Sequence, residues 1–194
     1  QYTQLEGDRR LEVRMYTNAL LLNEEVAQAM AGVVSLVAIN VDSADNSTLQ
    51  RFGRVGIRQQ PYLDQVAEAM RLLAAQKIPI KLHSVVGRLN HLQLAEEVST
   101  IFDRVRQTDV VVRIWKFYQY MSYDDEERDE RHRISNEEFT RFEQKIQENE
   151  VTALVPCHFK SNLEMDSSLF NVLHYGNAQY RLDGDTWTTT RRTE

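Results

Sequence analysis

Residues 80–90, Ile-Lys-Leu-His-Ser-Val-Val-Gly-Arg-Leu-Asn, constrain the fold more than any other stretch of the chain. They read as a strand, yet they carry an ammonium and an imidazole. Side chains alternate along a strand, so Lys81, His83 and Val85 share one face and Leu82, Ser84 and Val86 the other. The flanking segments have helical spacing. Leu63, Val66, Ala67, Met70, Leu73 and Ala74 form one apolar stripe before the strand; Leu92, Ala95, Val98, Phe102 and Val105 form another after it. A strand between two helices belongs in a parallel sheet, covered on both faces and apolar throughout. An unpaired ammonium buried there is costly. Lys81 is therefore expected to face a polar cavity, and an anionic ligand would explain that cavity.

The same alternation runs through the first two thirds of the chain. Residues 11–17 read as a strand, and Asn23 as the N-cap of a helix through Glu24, Glu25, Val26 and Met30. The short β-branched run 33–41 suits a buried parallel strand. Residues 42–60 are polar, carry Gly53, Arg54, Gly56 and Arg58, and read as a loop. Pro61 opens a helix that Lys77 closes. Asn90 is placed as the cap of the next helix, and 110–119 as a Val-, Trp- and Tyr-rich strand. Alternating strands and helices predict an α/β fold with a parallel sheet or barrel.

The style changes after Tyr123. Residues 124–133 mix charges of both signs and read as a solvated loop or helix face. Ser135-Asn136-Glu137-Glu138 is a capping box, opening a helix that carries Phe139, Phe142 and Ile146. A short strand is expected at 151–155, ended by Pro156. Segments 169–175 and 178–182 around Gly176-Asn177 read as a hairpin, and 188–194 as a frayed end. Two units are expected, 1–123 and 124–194.

Composition narrows the function classes. A net charge of -6 argues against broad, non-specific nucleic-acid binding but allows a small basic pocket. No apolar run approaches membrane-spanning length and the start is not a signal peptide, so a cytoplasmic or peripheral location is the default. Cys157 is the one cysteine. It allows neither an intrachain disulfide nor a cysteine-based metal site.

The motifs, taken in order, resemble one family. Met15-Tyr16-Thr17-Asn18-Ala19-Leu20-Leu21 is similar to the Thr-Asn-Gly-x-Leu-Leu strand end of radical S-adenosylmethionine (SAM) enzymes, with Ala19 for the Gly. Val37 to Ser43 resembles the strand that ends in Cys-Asp-Ser in viperin-type members, and Gly53-Arg54-Val55-Gly56 their Gly-Arg-Gly loop. The 80–90 segment resembles their Lys-Ile-Asn-Ser-Val-Ile-Asn-Arg-Phe-Asn. Trp115 to Gln119, Ile134 to Phe139 and Leu154-Val155-Pro156 match further motifs at compatible spacing.

The resemblance implies a partial (β/α) barrel of the radical SAM type, lacking N-terminal βα units and carrying a small C-terminal α+β extension. That extension, a helix plus hairpin, would cover the nucleotide site. In the family a [4Fe-4S] cluster cleaves SAM, and the radical formed takes the 4′ hydrogen of CTP (UTP or GTP in some relatives). The product is a 3′-deoxy-3′,4′-didehydro nucleotide with an antiviral role. The cluster loop, C-x-x-x-C-x-x-C, has no counterpart in this chain, nor has the Gly-Gly-Glu segment that meets SAM. The chain is accordingly expected to be the C-terminal part of a longer enzyme, inactive alone, with the missing N-terminal half or a reductase as partner in the parent. The alternative is a cluster-less nucleotide-binding or protein-interaction module.

Carried over residue by residue, the resemblance assigns Lys81 and Lys116 to the triphosphate. His83 stands where the family has Asn, and Ile114 where it has Arg; Arg113 would point the other way unless the strand bulges. Arg88 matches an Arg beyond the strand end, and is otherwise a surface residue. Asn18 and Ser43 stand at SAM-contacting strand ends, but both also suit ordinary turns. Gly53 and Arg54 would approach SAM or simply turn the chain. Ser168 stands at the family's C-terminal Tyr.

Overall fold

The structure is a computed structural model that describes residues 4–5, 9–10, 12–57, 60–122, 126–165, 170–172, 178–181 and 187–190. A small antiparallel pair, β1 (Gln4–Leu5) and β2 (Arg9–Arg10), comes first. The main sheet holds five parallel strands in chain order: β3 (Arg14–Thr17), β4 (Leu36–Asn40), β5 (Ile80–Val86), β6 (Val112–Gln119) and β7 (Cys157–Lys160). Each strand lies beside its predecessor, the order of barrel staves rather than of a doubly wound sheet. The sheet is not closed; β3 and β7 are its edges. A separate three-stranded antiparallel sheet joins β8 (Phe170–Val172), β9 (Ala178–Arg181) and β10 (Trp187–Thr190).

Helices make the crossovers. α1 (Glu24–Met30) links β3 to β4, and the Asn23 side chain caps it by accepting from Val26 N at 2.9 Å. α2 (Asn46–Arg51) and α3 (Tyr62–Ala75) link β4 to β5, and α4 (His91–Arg106) links β5 to β6. α5 (Glu126–His132), α6 (Asn136–Gln147) and α7 (Val151–Leu154) precede β7, and α8 (Asn162–Met165) follows it. Ser135 and Glu138 form the capping box of α6. Among the described residues no helix is long and apolar enough to cross a membrane.

Several expectations are corrected. The polar stretch 42–60 is not all loop: α2 forms because the Asp45 carboxylate accepts from Thr48 N at 2.7 Å. Residues 151–154 form a helical turn, not a strand; Asn149 accepts from Val151 N at 2.9 Å, and the chain extends only after Pro156. Thr188 to Thr190 are paired in β10 rather than frayed. Val172 pairs with Ala178 as a hairpin requires, while Gly176-Asn177 and Ser168 lie outside the described residues.

The core lies between one face of the sheet and the helices. Ile39, Leu82, Trp115 and Phe117 pack with Leu63 and Met70 of α3, Leu94 and Val98 of α4, and Phe139, Phe142 and Ile146 of α6. Rings stack in series, Trp115 on Phe117 at 5.0 Å and Phe117 on Phe159 at 5.3 Å. Polar atoms on this face are paired: Trp115 Nε1 donates to Ser84 Oγ at 2.9 Å, and Ser84 donates to the Val41 carbonyl. α6 and β7, both beyond residue 123, belong to this same core and sheet.

Candidate functional site

The other face of the sheet carries the charge, and a bulge puts half of it there. Ile80 pairs with Val112, but Lys81 pairs with Ile114, so Arg113 is an extra residue in β6. Beyond it His83 aligns with Lys116, and Val85 with Tyr118. Without the extra residue Lys116 would pair with Ser84 and fall on the helix-covered face, since a one-residue slip flips every side chain. Register then assembles the face: Arg14 and Tyr16 from β3, Ala38 and Asn40 from β4, Lys81 and His83 from β5, Ile114, Lys116 and Tyr118 from β6, His158 and Lys160 from β7.

Lys81 is 5% exposed. Its Nζ lies 3.2 Å from the Tyr16 hydroxyl and 4.8 Å from the centroid of that ring. Among the described residues neither Lys81 nor Lys116 has a carboxylate partner. The outer cations are paired, Arg14 with Glu12 at 2.7 Å and Lys160 with Glu164 at 3.8 Å. Lys116 has its pKa lowered, first by burial and then by the charges of Lys81 and Lys160. His83, 8% exposed, sits between the rings of Tyr16 (5.4 Å) and Tyr118 (4.9 Å), with the Tyr118 hydroxyl 3.5 Å from Nε2. Burial, then Lys81 and Lys116, push its pKa down to about 3. At neutral pH the imidazole is uncharged, so it can donate one hydrogen bond and accept another.

A second cluster lies at the C-terminal strand ends. Asp42, fully buried, accepts from Arg54 Nε and from Val85 N, both at 2.8 Å. Burial raises the Asp42 pKa against the opposing pull of Arg54 and the Val85 N–H. The Ser43 hydroxyl donates to Glu97 at 2.8 Å. Asn18 is exposed and accepts from Leu20 N at 3.3 Å. Gly53 has φ +74° with no atom within 4 Å of where a Cβ would sit; the backbone demands the glycine there, beside open space. Asn90 occupies the N-cap position of α4, but its side chain makes no capping hydrogen bond; its Oδ1 accepts from Gly87 N at 2.9 Å instead. Its amide donates to the Asp42 and Val85 carbonyls at 2.7 and 2.9 Å, sewing the turn after β5 to the end of β4.

The structure thus gathers Lys81, His83 and Lys116 on one face. It ties Arg54 and Ser43 into hydrogen bonds within the fold, and leaves Arg88 exposed beside α5 in a groove with Ser122, Glu126 and Glu130. The sequence reading missed Tyr16, Tyr118, Lys160 and Asp42. Alternation would have placed Tyr118 beside Lys116; Asp42, the first acidic residue after an apolar strand, was a second available signal. The residues do not fit an iron–sulfur cluster. Burial pushes the Cys157 thiol up to about 11, and among the described residues no three His, Cys, Asp or Glu side chains converge as metal ligands.

No family model matches the chain. Over 136 residues it is 28% identical to an S-adenosylmethionine-dependent nucleotide dehydratase of Psychrobacter lutiphocae, a match covering 69% of this chain and 42% of that protein. The chain resembles the nucleotide dehydratases. It thus spans less than half the length of this curated relative. Among solved structures, Streptococcus suis SuiB bound to its precursor peptide SuiA aligns with a TM-score of 0.58 at 12% identity, covering 84% of this chain and 35% of that one. A second SuiB structure aligns with a TM-score of 0.51 at 11% identity, covering 78% and 32%. These likenesses show the fold alone: an open α/β sheet of five parallel strands similar to that of SuiB.

Proposed function

We propose that the charged sheet face holds the triphosphate of a nucleotide, and that the chain supplies this part of a SAM-dependent nucleotide dehydratase acting on CTP, UTP or GTP. One observation carries the reading: Lys81 and Lys116 flank neutral His83 on a single face, without a carboxylate on either among the described residues. A sheltered cation without a counter-ion is costly, and a polyphosphate would supply the missing negative charge. The dehydratase likeness names the ligand class. In this reading the lysines anchor the phosphates, while His83 and Tyr118 offer directional hydrogen bonds that orient what the phosphates carry.

SAM would lie beyond the ends of β3 and β4, near Asn18, Ser43 and the open space beside Gly53. Ser43 and Arg54 would shape that region through Glu97 and Asp42 rather than with free side chains. Because α6 packs in the core and β7 is a strand of the sheet itself, only the part of the 124–194 extension beyond β7 is proposed as the cover of the nucleotide. Iron–sulfur ligation is not within the means of one sheltered cysteine, so formation of the didehydro product, and any antiviral role, would require ligands from outside this sequence. A cluster-less nucleotide-binding or protein-interaction module is the second reading. A cytoplasmic location is proposed for either.

Titrating the chain with CTP, UTP and GTP by calorimetry tests the site. Lys81→Ala and Lys116→Ala should each weaken binding of the preferred nucleotide about tenfold or more, the worth of one charge-assisted hydrogen bond. If neither substitution weakens any nucleotide, the site is wrong. The two readings separate on SAM: binding of SAM by the same chain supports the dehydratase, and nucleotide binding without it supports the module.

A further inference from the structure

We infer that Lys160 reads the terminal phosphate and makes the site select triphosphates over diphosphates, with Glu164 as its displaceable counter-ion. The inference rests on the nucleotide-binding reading above and deepens it.

Three lysines form a diagonal across neighbouring strands. Lys81 lies in the row of Ile114, Lys116 in the row of His83 and His158, and Lys160 in the row of Tyr118. Each step moves one strand across and two residues along. With strands about 4.8 Å apart and about 3.3 Å of rise per residue, successive Cα atoms lie roughly 8 Å apart. Lysine side chains are long enough to converge from that spacing on a single chain of phosphates. The Lys160 charge is also felt at Lys116, where it helps lower the pKa. The diagonal climbs toward the C-terminal strand ends, the side on which ligands of such folds bind.

The neutral residue in this row pattern is Ile114, two residues before Lys116 on the same face. Lys160 adds a cation to that face from the edge strand β7. It differs from the other two in one respect: Lys81 and Lys116 have no carboxylate among the described residues, whereas Lys160 has Glu164 at 3.8 Å. Glu164 is itself held, with Oε2 accepting from Ser161 N at 3.0 Å. That anchored carboxylate keeps Lys160 occupied until a stronger anion arrives. A diphosphate held by Lys81 and Lys116 stops short of it. A triphosphate reaches Lys160 and takes the place of Glu164.

The test measures CTP and CDP binding to the whole chain, wild type and variant, at fixed ionic strength. Lys160→Met should weaken CTP about tenfold and leave CDP within twofold, so that the triphosphate preference collapses. Glu164→Gln keeps an acceptor for Ser161 N and removes the competing charge; it should tighten CTP severalfold and leave CDP unchanged. Equal weakening of both nucleotides by Lys160→Met would overturn the proposal, as would no change in either, while Lys81→Met still weakening both about tenfold or more would show the nucleotide site itself to stand. A wild-type chain that binds neither nucleotide overturns this inference together with the reading beneath it.

Discussion

The two faces of the five-stranded sheet are made by alternate residues of the same strands, yet they obey opposite rules. Toward the helices, Leu82, Trp115 and Phe117 are fully buried and the polar atoms of Trp115 and Ser84 are paired. Toward the other side, Lys81 and His83 are nearly as well sheltered but carry charge or charge potential without an acidic partner among the described residues. One face is optimised for stability. The other holds a lysine whose described contacts are the Tyr16 hydroxyl and ring, beside an uncharged imidazole. Sites that work against local stability are where function concentrates.

The sharpest way to break this comparison is to truncate the stable face. Phe117→Ala removes a ring that contacts Trp115, Phe142 and Phe159. A fully buried Phe→Ala change costs about 3–5 kcal/mol through lost transfer energy and the cavity left behind. Urea denaturation should show a loss of that size. A loss below about 1 kcal/mol would mean the two faces are not differently packed.

The opposite sign is expected across the sheet. Lys81→Met keeps the length of the side chain and removes its charge. Replacing a sheltered ion by a well-packed apolar group is neutral or stabilising, by about 1 kcal/mol for a single group with no ion-pair partner. The same substitution should weaken triphosphate binding about tenfold or more. Denaturation midpoints and nucleotide titrations on one variant therefore move in opposing directions. A destabilised variant would place Lys81 among structural rather than ligand-directed residues.

Much of this contrast was legible in the sequence because strand periodicity is strict. The strand at 80–86, its helical flanks and the shared face of Lys81 and His83 follow from a period of two. The capping residues Asn23 and Ser135 were readable because their side chains act within three residues. What failed was chemistry that depends on distant partners. Asn90 sits at the helix N-cap, but its Oδ1 accepts from Gly87 N and its amide donates to the Asp42 and Val85 carbonyls, so the side chain makes no cap bond. Residues 151–155 read as a short strand, yet Asn149 supplies a turn that winds Val151 to Leu154 into a helix. Lys160 could not be placed, because the strand that carries it begins only after Pro156. The side on which Lys116 falls hangs on a bulge, and one extra residue in a ladder leaves no clear trace in composition.

The smallest effect expected is also the most specific to the charged face. His83 is surrounded by Tyr16 from β3, Asn40 from β4, Lys81 on its own strand, and Lys116 and Tyr118 from β6. Burial opposes a proton on the ring first, and the charges of Lys81 and Lys116 oppose it further, which puts the folded pKa at about 3 against an ordinary value of 6.5. Between those values the unfolded chain binds the proton and the folded chain does not. Stability from this group is therefore complete above about pH 6.5, and it is lost progressively as pH falls through that window toward about 3. His83→Asn should flatten this part of the stability curve while leaving the neutral-pH value within about 1 kcal/mol. A triphosphate that cancels the charges of Lys81 and Lys116 should raise the pKa of the wild-type imidazole, so binding near pH 5 would take up protons, measurable as a buffer-dependent heat. An acid limb unchanged by His83→Asn, or binding with no proton uptake, would show that the lysines and the imidazole do not share one electrostatic environment.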